Sequence, residues 1–269
     1  MRPLLIIVFF FLAGSANSQE LFSMTEPASN KPARSISFRL DNSIMNEAGT
    51  SKINYHLIPE IMFGISKKLM VSGDAFFSNR TDKLRAEGGS VYAKYRFLSN
   101  DVVQKHFRMA VFGRLSYNNS DIHQEEINMY GHNTGVEAGV VATQLLRKVA
   151  LSSCISYLNA EDNGNNNKFA YGSENSRAVN YTFSMGKLML PKEYTDYKQT
   201  NLNLMVEFLS QVNTGSGKYY MDIAPSVQLI FNSQSRIDIG YRKELSTTLI
   251  RTAPNGFFIR LEHNLFNAF

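Results

Sequence analysis

Hydrophobic and polar residues alternate along most of this chain with a period of two. In RSISFRLDN, residues 34–42, the apolar residues Ile36, Phe38 and Leu40 are separated by polar ones. This period is typical of a β-strand whose two faces meet different environments. Twelve such runs occur, at roughly residues 34–45, 52–65, 69–80, 86–98, 106–118, 134–146, 149–160, 177–190, 199–212, 218–231, 235–245 and 256–269.

The length of these runs separates two all-β folds that share the alternation. Most runs span roughly 11–14 residues, whereas strands of soluble domains average about five or six. A strand tilted across a bilayer needs about 9–11 residues. A soluble β-sandwich is the main alternative, but it requires shorter strands. The length therefore favours membrane-spanning strands.

The connections between the runs alternate between short turns and longer polar loops. The longest, NSDIHQEEINMYGHN and EDNGNNNKFAYGSENS, both follow odd-numbered runs. Short turns on one side and long loops on the other are characteristic of outer-membrane barrels. We predict a closed antiparallel transmembrane β-barrel of about twelve strands over residues 34–269. Its last strand pairs with its first, and the terminal Phe269 is predicted to be an assembly signal read by the barrel-assembly machinery.

The first residues have the features of a Sec-type signal peptide. Arg2 precedes an apolar stretch at residues 4–12, and small residues follow up to Ser18. The alternative, a transmembrane anchor, is disfavoured because the stretch is too short to cross a bilayer. We predict a cleaved signal peptide at residues 1–18, a periplasmic lead-in at residues 19–33, and localisation in the outer membrane.

Composition excludes several other classes of protein. Removing Arg2 leaves 27 basic and 23 acidic residues, a net charge of +4 without a Lys/Arg block, so no nucleic-acid partner is expected. Cys154 is the only cysteine, which rules out a disulfide framework. After residue 18 no stretch of eighteen consecutive apolar residues occurs, which excludes a helical membrane protein.

The polar face of the strands supplies the candidate functional residues. Basic residues concentrate on the fourth and fifth strands and acidic residues on the ninth to eleventh, which lie on opposite walls of a twelve-stranded barrel. This distribution has two interpretations: a transverse electric field across a narrow pore, or a lumen closed by ion pairs. The latter is favoured. The predicted lumen-lining residues are Lys94, Arg96, Arg108, Arg114, Glu137, Glu207, Asp222, Asp238 and Arg242.

Catalytic and metal sites receive less support from the sequence. His56 and Glu60 share one strand face, but no serine can be assigned to act with them, so no enzymatic activity is expected. His123, Glu125, Glu126 and His132 lie in a predicted loop and could bind a metal. Their loose spacing favours solvated charges instead, and we predict no metal and no cofactor.

Three segments carry a resemblance to a known family: PEIMFGISKKLMVSGDAFFS, GSVYAKYRFL and SVQLIFNSQSRIDIGYRKEL. Each combines strands, short turns, and Gly near aromatic and basic residues. In this the chain resembles outer-membrane barrels labelled as transporters or as "meta-pathway of phenol degradation" proteins. The resemblance covers about half of the chain and implies passive transport of small molecules, hydrophobic ones included. It brings no functional residues to this sequence.

The expected function is that of an outer-membrane channel or transporter for passive uptake of small solutes. The alternative is a non-transporting barrel whose extracellular loops bind a partner or surface ligand. The expected partners are outer-membrane lipid, the barrel-assembly machinery and a small-molecule solute.

Overall fold

The structure, a computed structural model, describes residues 22–50, 52–80, 83–102, 105–169, 173–192 and 198–269. The predicted signal peptide at residues 1–18 lies outside the described residues. Within them, no helix is long and apolar enough to cross a membrane.

Twelve antiparallel strands form a single closed sheet, as the alternation predicts. Each strand is hydrogen-bonded to its neighbours in the chain, and β1 pairs with β12 from Ile36 opposite Leu265 to Asn46 opposite Asn255. The closed sheet leaves no free strand edge, which is the requirement for strands that cross a bilayer. The strands are β1 Ser35–Asn46, β2 Ile53–Gly64, β3 Leu69–Ser78, β4 Arg85–Val102, β5 Lys105–Asn118, β6 Gly135–Leu146, β7 Val149–Ala160, β8 Arg177–Leu190, β9 Asn201–Asn213, β10 Tyr219–Phe231, β11 Ser235–Thr247 and β12 Asn255–Leu265.

The two faces of the sheet are inverted relative to those of a soluble protein. On the outer face large apolar side chains are uncovered, including Val91 at 61% and Leu115 at 65% exposure. On the inner face charged side chains such as Lys94 and Glu207 are fully buried. A soluble sandwich would hide the apolar set between two sheets. The structure therefore confirms the closed transmembrane barrel, and the sandwich alternative is wrong.

The barrel has two distinct ends. The turn end carries the connections after the even-numbered strands, together with the start of β1 and the end of β12. These connections are two to four residues long, except for residues 191–200 after β8. The loop end carries the connections after the odd-numbered strands, including the long segments 119–134 and 161–176.

Two strands differ from their predicted extents. β4 continues to Val102, four residues beyond the predicted end, because residues 99–102, three of them polar, pair with β5 at the turn end. β12 ends at Leu265, whereas alternation predicts a strand up to Phe269. Asn267 has a left-handed backbone (φ 53°), and Ala268 N–H donates to the Arg34 carbonyl at 2.8 Å. The chain thus turns under the start of β1.

If the apolar outer face contacts lipid, a charge placed on it should destabilise the barrel, and more so near the middle of the membrane. Val111 lies in the middle of β5 and is 40% exposed on the outer face. Val111→Arg is expected to destabilise the barrel in lipid vesicles by about 2–4 kcal/mol, because arginine is costly at the bilayer midplane. The measurement is urea-induced unfolding in vesicles. The control is Val136→Arg, near the loop end of β6, which should cost about 1 kcal/mol or less. Equal costs at both depths would contradict a lipid-facing surface.

Candidate functional site

Residues 22–34 run through the interior of the barrel, and we call them the inner segment. The backbone N–H groups of Ser23 and Met24 each donate to one carboxylate oxygen of Glu207 at 2.8 Å. The N–H and the hydroxyl of Thr25 donate to the other oxygen at 2.9 and 2.8 Å. These four hydrogen bonds satisfy a carboxylate that would otherwise be costly to bury. The sequence predicts a periplasmic lead-in here, and the pattern of this stretch gives no sign of a position inside the barrel.

The inner segment is also held on the far side of the barrel, at β4 and β6. Lys94 Nζ donates to the carbonyl oxygens of Pro27 at 2.7 Å and Ser29 at 2.8 Å. The N–H of Ala28 donates to the hydroxyl of Thr143 at 2.9 Å. Together with Glu207 on β9, these contacts attach the segment to walls separated by several strands, so it lies across the lumen.

An ion-pair network attaches the turn-end part of the inner segment to β1, β2 and β12. Glu262 accepts hydrogen bonds from Lys31 and, at 3.1 Å, from Arg39. Arg39 also pairs with Glu26 of the inner segment and with Glu60 at 3.1 Å. Carboxylates and cations therefore alternate, which compensates charges that are buried inside the barrel.

The connection between β5 and β6, residues 119–134, folds into the loop end of the barrel, and we call it the inward loop. Glu126 pairs with Arg251 at 2.6 Å and Arg242 at 3.1 Å. Burial would raise the pKa of Glu126, but these two guanidinium groups lower it to about 2. Glu125 pairs with Lys218 and accepts the Ile250 N–H at 2.8 Å. Both carboxylates are buried, so the prediction of solvated charges in this loop is wrong.

The inward loop gives no metal site in the described part of the chain, where no group of three or more His, Cys, Asp or Glu side chains is arranged to hold a metal ion. The four candidate ligands of this loop do not converge on one point. Glu125 and Glu126 are engaged in ion pairs, and His132 contacts Arg80 and the ring of His56.

Backbone and apolar contacts fix the middle of the inward loop. Ile127 N–H donates to Gln211 Oε1 at 2.9 Å, and Gln211 Nε2 donates back to the Ile127 carbonyl at 2.7 Å. Ile127 and Met129 pack with Leu158, Ala160 and Ala178 in a buried cluster. The loop therefore has a defined position against β7, β8 and β9.

Tyr130 carries the inward loop to the opposite wall. Its hydroxyl donates to Asp41 at 2.6 Å on β1, and Asp41 also pairs with Arg260. The guanidinium of Arg114 lies 4.7 Å from the centre of the Tyr130 ring and pairs with Asp74 at 2.7 Å. The Tyr130 ring therefore extends across part of the lumen, held between the Arg114 cation and the Asp41 carboxylate.

A cavity of about 490 Å³ lies at the loop end, and we call it the outer cavity. Its walls are the inner faces of β1, β2 and β12, the inward loop, and the inner segment at Ser23 and Met24. A smaller space of about 230 Å³ lies beside Glu26, Arg39 and Arg114 and shares Met24 and Tyr130 with the outer cavity. The interior is thus divided into compartments by the inner segment and the inward loop.

Five of the nine predicted lumen residues contact one of these two elements. Lys94 and Glu207 bind the inner segment, and Arg108 donates to the Ser29 hydroxyl at 3.0 Å. Arg114 and Arg242 contact the inward loop at Tyr130 and Glu126.

The other four contact residues of the barrel itself. Asp222 pairs with Arg251 at 2.7 Å and also with Arg242. Glu137 accepts the Ser156 hydroxyl at 2.6 Å. Asp238 pairs with Arg236 at 3.7 Å, and Arg96 donates a hydrogen bond to the Lys67 carbonyl at 2.6 Å.

These contacts reduce the charge separation that the sequence suggests. Asp222 is matched by two arginines on its own wall, and Arg114 by Asp74 on the adjacent one. Glu207 is satisfied by the inner segment. The geometry therefore corresponds to local ion pairing more than to a field across the lumen.

Several residues of this interior are missed by sequence reasoning. Arg39 has the inward parity of its strand, and that signal could have identified it. Glu26, Tyr130 and Arg251 lie outside the strands, where no periodicity shows which way a side chain points.

Comparison with solved structures places this fold among outer-membrane barrels. The chain is similar to the COG4313 outer membrane channel from Pseudomonas putida F1, with 11% identity, a TM-score of 0.55, and coverage of 89% of this chain and 98% of that one. Acinetobacter baumannii OccAB2 also matches, with 13% identity, a TM-score of 0.40, and coverage of 84% of this chain and 59% of the other. No family model matches the chain, and neither does any curated protein.

Proposed function

We propose that this protein is an outer-membrane channel for passive uptake of small solutes, with its loop end facing the exterior. The observation that supports this most directly is the interior: a closed, lipid-compatible barrel encloses charged side chains and a 490 Å³ cavity lined by loop-end residues. A barrel with only structural duties has no need of a polar cavity of small-molecule size. Residues 1–18 act in this proposal as the Sec-type signal, and Phe269 as the signal to the assembly machinery.

The passage in this proposal is narrow and controlled. The inner segment crosses the lumen from Glu207 to Lys94, and the inward loop crosses it nearer the loop end at Tyr130. A solute small enough to fit the outer cavity would pass through the lumen when the inner segment shifts out of its way. The resemblance to the phenol-degradation type of barrel is consistent with small substrates. We propose no catalytic role and no cofactor.

One observation favours a second candidate, a barrel that does not transport and binds a partner through its loops. The inner segment and the inward loop each bridge opposite walls through buried ion pairs and hydrogen bonds. A permanent obstruction would leave the loop end as the only functional surface.

Planar-bilayer recording and liposome swelling separate the two candidates. The mature chain is recovered from outer membranes, and folding is checked by heat-modifiable migration on gels. We expect measurable conductance, with at least about a twofold shift in anion over cation preference when Arg108 and Arg114 are both changed to Gln, because both guanidinium groups lie in the lumen. Arg147→Gln, exposed in the turn after β6, removes the same kind of charge outside the lumen and should leave the preference unchanged. A silent barrel, with or without the inner segment, would support the second candidate.

A further inference from the structure

We propose that the outer cavity binds small organic carboxylates and that Arg80 is the group that recognises the carboxylate. This inference rests on the proposed channel function, because it names the class of solute that enters from the loop end. It is carried by the hydrogen bonding of Arg80 and by the composition of the cavity around it.

Arg80 differs from seven other arginines of the interior in having no ion pair with a described residue. Within the described ranges, no carboxylate oxygen lies within 4.0 Å of its guanidinium, and the charges of Glu87 and Asp121 act on it only from farther away. Seven interior arginines each have a carboxylate within that distance: Arg39, Arg108, Arg114, Arg236, Arg242, Arg251 and Arg260. A partly buried guanidinium without a counter-charge is a favourable place for an anion to bind.

The donors of Arg80 leave one edge of the guanidinium available. Nη1 donates to the Ser120 hydroxyl at 2.8 Å and weakly to the Asp121 carbonyl at 3.4 Å, and Nη2 contacts His132 Nδ1. All three acceptors are uncharged. Among the residues that the structure describes, Nε–H has no hydrogen-bond acceptor. The edge that carries Nε–H is a donor edge that a planar carboxylate can use.

Two histidines form the surface beside Arg80. The rings of His56 and His132 are 4.7 Å apart and inclined by 32°. Burial, followed by the positive charge of Arg80, holds the pKa of His132 well below its ordinary value, so this ring stays neutral and accepts from Arg80. Arg80 is therefore a cation of this part of the cavity, where Lys52 Nζ also donates to the Arg80 carbonyl at 3.3 Å. The imidazoles provide a polar, flat contact surface.

The rest of the cavity suits a short apolar body on the anion. Met45, Ile58 and Phe258 line the same cavity, and all three are buried apolar side chains. The acidic groups in the wall are already neutralised, with Asp41 bound to Arg260 and Glu126 bound to two arginines.

At the rim, Glu47 and Lys52 carry opposite charges and add no net charge. A volume of about 490 Å³ is within the range of small-molecule sites.

Binding is tested on the folded mature barrel in a non-ionic detergent by isothermal titration calorimetry. Benzoate is the probe, and benzamide is its uncharged analogue of the same shape. We expect benzoate to bind at least about tenfold more tightly than benzamide, because only the carboxylate can form a charge-assisted pair with the guanidinium.

Variants at Arg80 test the assignment of the residue. Arg80→Gln should weaken benzoate binding by about tenfold or more and remove the preference over benzamide. Arg80→Lys should retain part of the affinity, since it keeps the charge without the planar fork. Arg147→Gln, at the turn end, should change affinity by less than about twofold, because the Debye length at physiological ionic strength is only about 8 Å.

The results separate this inference from the channel function on which it rests. Benzoate binding that depends on Arg80 in a barrel without conductance would support the site and refute transport. Conductance without benzoate binding, equal binding of benzoate and benzamide, or unchanged affinity in folded Arg80→Gln would each overturn the site. If Arg80→Gln does not fold, the loss of affinity in Arg80→Lys decides the result.

Discussion

Deleting residues 22–31 is expected to raise the single-channel conductance of the barrel severalfold. The inner segment occupies the lumen and is attached to Glu207 on β9, to Lys94 on β4 and to Glu262 on β12. Without it, the walls at this level are separated by solvent. The measurement is planar-bilayer recording of the deleted and full-length mature chains, each checked for folding by heat-modifiable migration.

A single substitution should reproduce part of this effect. Glu207→Gln keeps one acceptor oxygen but loses the charge and places an amide NH₂ against a donor of the inner segment. Each charge-assisted hydrogen bond contributes about 1.5–3 kcal/mol, and 1.4 kcal/mol corresponds to a tenfold change in an equilibrium. The fraction of time spent in an open state should therefore rise by about tenfold or more.

Glu87→Gln is the matched control for Glu207→Gln. Glu87 is a buried carboxylate on the inner face of β4 that accepts a hydrogen bond from Ser78 and has no contact with the inner segment in the described structure. Its substitution should leave the open fraction close to that of the wild type. Unchanged conductance in both the deletion and Glu207→Gln would show that the inner segment does not limit the passage.

Arg251→Met is expected to lower the free energy of unfolding by about 3–5 kcal/mol, the cost of removing one partner from a buried ion pair. Arg251 is buried and holds three carboxylates, those of Glu126 at 2.6 Å, Asp222 at 2.7 Å and Glu244 at 3.0 Å. Methionine fills similar space but leaves Asp222 and Glu126 with Arg242 as their one cation among the described residues.

Removing Arg251 should lower the stability of the barrel and also loosen the inward loop. Unfolding in urea gives the free energy, and the conductance should become noisier as the loop detaches at Glu126. Lys243→Met removes an exposed cation from β11, the strand that leads into the loop carrying Arg251. It should change stability by less than about 0.5 kcal/mol. If Arg251→Met and Lys243→Met have equal effects, the ion pairs at Arg251 do not hold the loop.

The sequence predicts the wall of this barrel better than its contents. A strand in a bilayer must face lipid on one side and a polar interior on the other, so the alternation through Phe38 or Tyr95 is visible residue by residue. The predicted runs coincide with the twelve strands to within a few residues at most ends. β12 is an exception, because the period of two continues through the turn at Asn267.

The inner segment and the inward loop, which fill the barrel, cannot be predicted from an alternation of residues. The inner segment has no apolar alternation, and its partners Thr143 and Glu207 lie 115 and more than 180 residues away in the chain. The inward loop likewise depends on Arg251, which is distant in sequence and lies in another loop. Such contacts depend on which polar groups meet after the sheet has closed, and a strand pattern carries no information about that.

The order of synthesis gives the inner segment an unusual place in folding. It precedes every strand in the chain, whereas Glu207 and Glu262, which bind it, lie on the ninth and twelfth strands. Since β12 must join β1 before an enclosed space exists, the segment has no binding site until the chain is complete. We therefore expect the inner segment to dock after the sheet has closed.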